Sequence, residues 1–145
     1  MATTKTYGSL ITKAFNKEVD FDTDTIKVAL VSSSYTPNQD THDYWDDVST
    51  NEVTGTGYTA GGETLASKAV TYDSATNVTK FDAADVSWTS STITARYAVI
   101  YNDSPATAAA KTLVGYVDFG SDQSSSSGTF SIVWDSAGIF TTTAD

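Results

Sequence analysis

The residues best equipped for chemistry lie in two short acidic stretches. In His42-Asp43-Tyr44-Trp45-Asp46-Asp47 the only histidine of the chain stands beside three carboxylates and two aromatic rings, with Asp40 just upstream. A nucleophilic triad would use such a histidine as its base and a neighbouring aspartate to orient it. No Gly-x-Ser-x-Gly turn accompanies it, so His42 reads as a loop residue in water. Carboxylates beside aromatics also suit sugar binding, where rings stack on apolar sugar faces and acids bind hydroxyls. Two of them held about 5–10 Å apart would serve glycoside hydrolysis. The plainer reading is that Tyr44 and Trp45 anchor the segment to the body of the protein while Asp40, Asp43, Asp46 and Asp47 face solvent.

Asp20, Asp22 and Asp24 imitate the opening of a calcium loop. Such a loop needs a glycine at its sharp turn and a bidentate glutamate at its twelfth position. The chain offers Thr25 and Val31 there, so an acidic turn leading into a strand is the expectation. Gly55, Gly57, Gly61 and Gly62 lack the lysine and the strand–turn–helix setting of a phosphate cradle, and read as tight turns or bulges. Asn77-Val78-Thr79 matches a glycosylation acceptor and reads as an ordinary turn. No catalytic residue, metal site or cofactor is expected.

Composition narrows the classes further. The absence of cysteine excludes disulfides, thiol catalysis and thiolate metal sites. Eight basic against eighteen acidic residues give a net charge of −10, which repels nucleic acid phosphates and anionic membranes alike. Such a surface suits a basic partner. No apolar run is long enough to span a bilayer, and the first residues show no secretion signal. Threonine and serine supply 25 and 18 residues, a bias toward strands and turns over helices.

The elements that must carry these residues are mostly strands. Tyr7, Leu10, Ile11, Ala14 and Phe15 recur at helical spacing and predict one short amphipathic helix, capped by Thr6. Thereafter the period is two. Thr25–Val31, Ile93–Tyr101, Thr112–Phe119 and Thr129–Asp135 are the clearest strands. Leu65–Tyr72, Val78–Phe81, Val86–Trp88 and Ile139–Thr142 are weaker ones. Ile93, Ala95, Tyr97, Val99 and Tyr101 are expected on one face, and Leu113, Gly115, Val117 and Phe119 on one face of the next strand. Ser124–Ser127 with Gly128 reads as a flexible hairpin loop. About eight short strands with one N-terminal helix predict an all-β chain, an antiparallel β-sandwich of jelly-roll or immunoglobulin-like type. It forms a single domain over residues 1–145, broken by one long excursion at about 32–62. A loop of that length is commonly functional or ordered by a partner. Within it, Thr41–Val48 can form a helical turn or two.

Several stretches resemble a family of small virion proteins of tailed bacteriophages. They are Lys27-Val-Ala-Leu-Val31 with Tyr35-Thr-Pro-Asn38, His42-Asp-Tyr-Trp-Asp46, and Asn51-Glu-Val-Thr-Gly-Thr-Gly-Tyr58. Tyr97-Ala-Val-Ile-Tyr101, Leu113-Val-Gly-Tyr-Val-Asp-Phe119 and Phe130-Ser-Ile-Val-Trp134 extend the resemblance over most of the chain. It implies a non-enzymatic structural protein of the virion, foremost a head decoration (cement) protein bound to the major capsid protein. The alternatives are a tail or fibre-associated component, or a carbohydrate-binding adhesin module. It further implies a homo-oligomer. Tyr35, Tyr44, Trp45 and Tyr58 are the expected partner-binding anchors, because aromatics dominate interface energetics. Residues 1–6 or the excursion would supply the contact surface.

Overall fold

The structure is a computed structural model that describes residues 1–145. Eight strands and one short helix follow in the order β1 (Thr4–Thr6), α1 (Leu10–Phe15), β2 (Ile26–Val31), β3 (Glu63–Thr64), β4 (Ala69–Asp73), β5 (Val78–Asp82), β6 (Val86–Asn102), β7 (Leu113–Ile132) and β8 (Phe140–Thr143). They form two antiparallel sheets, β1-β7-β6-β2-β3 and β4-β5-β8. No helix is long and apolar enough to cross a membrane.

The all-β, two-sheet expectation holds, but the partition of strands differs from the sequence reading. Val86–Trp88 and Ile93–Tyr101 run together as β6, and Thr112–Phe119 and Thr129–Asp135 merge largely into β7. The serine run is no loop. Ser124 pairs with Thr94 and Ser125 with Ile93 inside the β6–β7 ladder. β1 and β3, three and two residues long, are too short to show a period in the sequence.

The long β6–β7 ribbon is interrupted by four register shifts. Each adds residues to one strand and bends it locally. Ser90 and Ser127 take positive φ at two of these places, and Gly120 at a third. The ribbon therefore curls. Phe119 and Phe130 are eleven residues apart, a span of about 36 Å in straight strand, yet their ring centroids lie 5.8 Å apart.

The shifts also change which face each side chain serves, since a one-residue slip inverts the alternation. Ile93 and Ala95 join Ala98 and Ile100 in the larger core, while Tyr97, Val99 and Tyr101 pack on the opposite face. Leu113 and Tyr116 likewise face away from Val114 and Val117. The single-face expectations for both segments are thus corrected at the bulges.

The five-stranded sheet is covered on both sides. Its inner face, with Ile26, Val28 and Leu30, packs against Phe81 of the smaller sheet, and Phe21 bridges Phe81 and Phe140 with ring separations of 4.6 and 5.4 Å. Its outer face is covered by the excursion. Tyr35, Trp45 and Val48 lie on Ala29, Val31, Val99 and Tyr101. Backbone bonds hold the excursion to strands and their connections, including Trp45 N–H to Lys111 O at 2.9 Å, Leu113 N–H to Asp43 O at 3.0 Å and Val53 N–H to Leu30 O at 3.0 Å. Its helical turns are 3-10 turns at Trp45–Asp47 and Ser49–Asn51. The first has Tyr44 and not Thr41 at its N-cap, and the Asp47 carboxylate reaches back to accept the backbone N–H groups of Tyr44 at 3.4 Å and Asp43 at 2.9 Å.

Candidate functional site

The acidic-aromatic stretch is organised around Lys13, a residue whose helical spacing does not mark it as buried. Helix α1 turns Leu10 and Lys13 inward and leaves Ile11 and Phe15 exposed, at 45% and 83%. The expected apolar face is therefore only partly used. Lys13 is 5% exposed, and its ammonium lies 3.0 Å from the centroid of the Tyr44 ring. The same nitrogen is 3.2 Å from the Asp43 carboxylate, 3.9 Å from that of Glu18, and donates to Asp43 O at 3.3 Å. Tyr44 donates its hydroxyl to Glu18 at 2.8 Å, closing the ring of contacts. The ring face attracts the desolvated cation, and the carboxylates keep the buried charge from standing uncompensated. It fixes the helix to the excursion and holds Tyr44 by its face and its hydroxyl together.

The other three aromatic anchors also face inward. Trp45 stacks on Tyr101, with centroids 4.2 Å apart and planes 10° from parallel. Tyr35 is buried; its hydroxyl lies 2.8 Å from the Tyr7 hydroxyl and 2.8 Å from His42 Nδ1. His42 Nδ1 also accepts the Asn38 N–H at 3.3 Å. Burial pushes the Tyr35 hydroxyl up to about 12, and that of Tyr7 higher still. Tyr58 donates to Glu52 at 2.6 Å and accepts the Leu30 N–H at 3.0 Å. Glu52 in turn accepts the N–H of Gly61 at 2.6 Å. Tyr35 and Trp45 are thus buried against the five-stranded sheet, while Tyr58 and Tyr44 are half-buried, the latter held by Lys13 and Glu18.

The calcium-like turn is filled by the protein itself. Asp20 accepts the N–H groups of Asp22 and Thr23 at 2.9 and 3.2 Å. Hydrogen bonds from Thr23 and Asp22 hold its carboxyl below the usual range. The Lys68 ammonium donates to the carbonyls of Phe21 and Asp24, where a cation would seek oxygen. No group of three or more His, Asp or Glu is arranged to hold a metal ion.

A second charged cluster sits at the β6–β7 connection. Asp103 lies 3.0 Å from the Lys27 ammonium and 2.5 Å from that of Lys111. Burial alone would raise the Asp103 carboxyl, but the two lysines outweigh it and hold it low. Tyr101 donates to Gly61 O at 2.8 Å, tying the end of the excursion to β6.

A groove of about 650 Å³ opens where residues 1–3 cross the curled ribbon, with Phe119, Phe130 and Val133 in its lining. None of the titratable clusters above lines it. No family model, no curated protein and no solved structure matches this chain.

Proposed function

We propose that this is a non-enzymatic virion structural protein of a tailed bacteriophage, a decoration protein that docks on the outer head surface against the major capsid protein. The observation that carries the docking role is the helix that turns Lys13 inward beside Leu10. A lysine is buried while a phenylalanine and an isoleucine, one turn apart, are presented to solvent. A buried charge and an exposed large apolar side chain are the informative departures from ordinary burial, and an apolar patch on a braced element suits a partner surface. The Lys13–Tyr44–Glu18 contacts brace this one, so docking would order little that is not already ordered. The virion assignment rests on the sequence resemblance. The net charge of −10 favours a basic rim on the partner. Binding to assembled shell alone would stabilise that shell by mass action, about 2.7 kcal/mol per site at a hundredfold excess over Kd.

The test mixes purified protein with heads stripped of it and locates added density by electron microscopy. Density on the head, lost with Phe15→Asp while the unfolding midpoint is unchanged, supports the reading. Density on the tail alone would assign it to a tail or fibre-associated role. Absence of density from the particle would overturn the virion assignment.

A further inference from the structure

We infer that the outer edge of β7 around Gln123–Ser126 is a self-pairing surface, and that its occupant is the same edge of a second copy of this chain. The inference stands apart from the proposed docking role and uses a different surface.

Strand β7 pairs with β6 on one side except at the four register shifts, regularly over Gln123–Ser125 with Ser126 and Ser127 in the next shift. On the other side β1 pairs only with Gly115, Tyr116 and Val117. Residues 1–3 then leave that edge, and Ala2 bridges to Trp134 beyond the end of β7. The edge between Asp118 and Ile132 therefore has no strand beside it. An open edge presents a row of backbone donors and acceptors, the template for pairing with another chain.

Charge identifies the occupant. A copy with ten net negative charges meets its twin most easily where neither carries charge. No charged side chain stands between Asp122 and Asp135, and Gln123, Ser124 and Ser126 are all exposed. Two such edges related by a two-fold axis are complementary to themselves, which is the commonest closed assembly. The register shifts on either side, marked by Gly120 and Ser127, bend the strand away and confine pairing to this short stretch. The association is accordingly weak, dependent on concentration, and strengthened by salt as the repulsion between copies is screened.

The absence of cysteine makes the test specific. Gln123→Cys and Ser126→Cys are made singly in the full chain, with Ser74→Cys on the β4–β5 turn as the control. Under mild oxidation at high protein concentration, the edge variants should form covalent dimers at several times the yield of the control. Sedimentation of the parent chain should show a dimer that grows with protein and salt, and Ser126→Asp should weaken it about tenfold, because the two-fold places one new charge on each of the two facing edges. A parent chain that stays monomeric throughout overturns the inference. A dimer unaffected by Ser126→Asp, or cross-linked equally through Ser74→Cys, places the contact elsewhere and overturns it as well.

Discussion

The Lys13 ammonium lies over the Tyr44 ring, 3.0 Å from its centroid, while the hydroxyl of the same tyrosine is held by Glu18. One cation thus ties the helix to the excursion that forms the outer layer. Lys13→Met keeps the apolar stem but removes the charge, leaving Asp43 and Glu18 unneutralised. Because both carboxylates remain partly in water, the expected loss is moderate, about 1–3 kcal/mol in urea unfolding. Tyr44→Leu should cost a similar amount, and the double variant less than the sum. Strict additivity would show that the two side chains do not act together.

Trp45 and Tyr101 test whether the excursion is a structural layer. Trp45→Ala removes a ring stacked between the excursion and β6, and should cost about 3–5 kcal/mol with loss of near-ultraviolet dichroism. Tyr35→Phe is milder. It leaves the Tyr7 hydroxyl and His42 Nδ1 without their shared partner, for about 1–2 kcal/mol. Unchanged stability in Trp45→Ala would mean that the excursion is only loosely attached.

Much of this was legible in the sequence, and the misses have physical causes. Alternation located β2, β5 and the core of β6 and β7, because period two survives wherever pairing is regular. It failed at the bulges, where Tyr97 and Leu113 change face, since a bulge leaves no reliable mark beyond a glycine or serine. The Ser124–Ser127 run looked like a loop because its side chains are exposed and polar; its pairing with β6 is a backbone property. Trp45 and Tyr44 did anchor their segment, as the plainer reading held. The inward turn of Lys13 was hidden, because its partners Asp43 and Glu18 come from outside the helix.

Two glycines separate backbone strain from crowding. Gly62 and Gly120 have similar positive φ values, 74° and 80°. A Cβ at Gly62 would stand 2.0 Å from Val28 O, whereas one at Gly120 meets nothing within 4 Å. Gly120→Ala should cost about 1 kcal/mol, the backbone term alone. Gly62→Ala must also push the excursion off β2 and should cost several times more, read from thermal unfolding of both variants. Equal costs would show that the excursion yields freely at that point.

Asp103 sets an acid limit. Its folded carboxyl lies below the ordinary value of 3.8 because Lys27 and Lys111 favour the charged form over the opposing effect of burial. As pH falls, the unfolded chain takes up the proton first. The contribution of this group is therefore complete above about 3.8 and is lost progressively as pH drops through its lower folded value. Asp103→Asn should be less stable than the parent at neutral pH, and the gap should close on acidification below that point. Lys27→Met removes one of the two cations and should raise the folded value, narrowing the window over which stability is lost. Unfolding midpoints measured for the three chains from neutral to strongly acid pH decide the matter. A gap between parent and Asp103→Asn that stays constant into strong acid would show that this carboxylate contributes no charge-dependent stability.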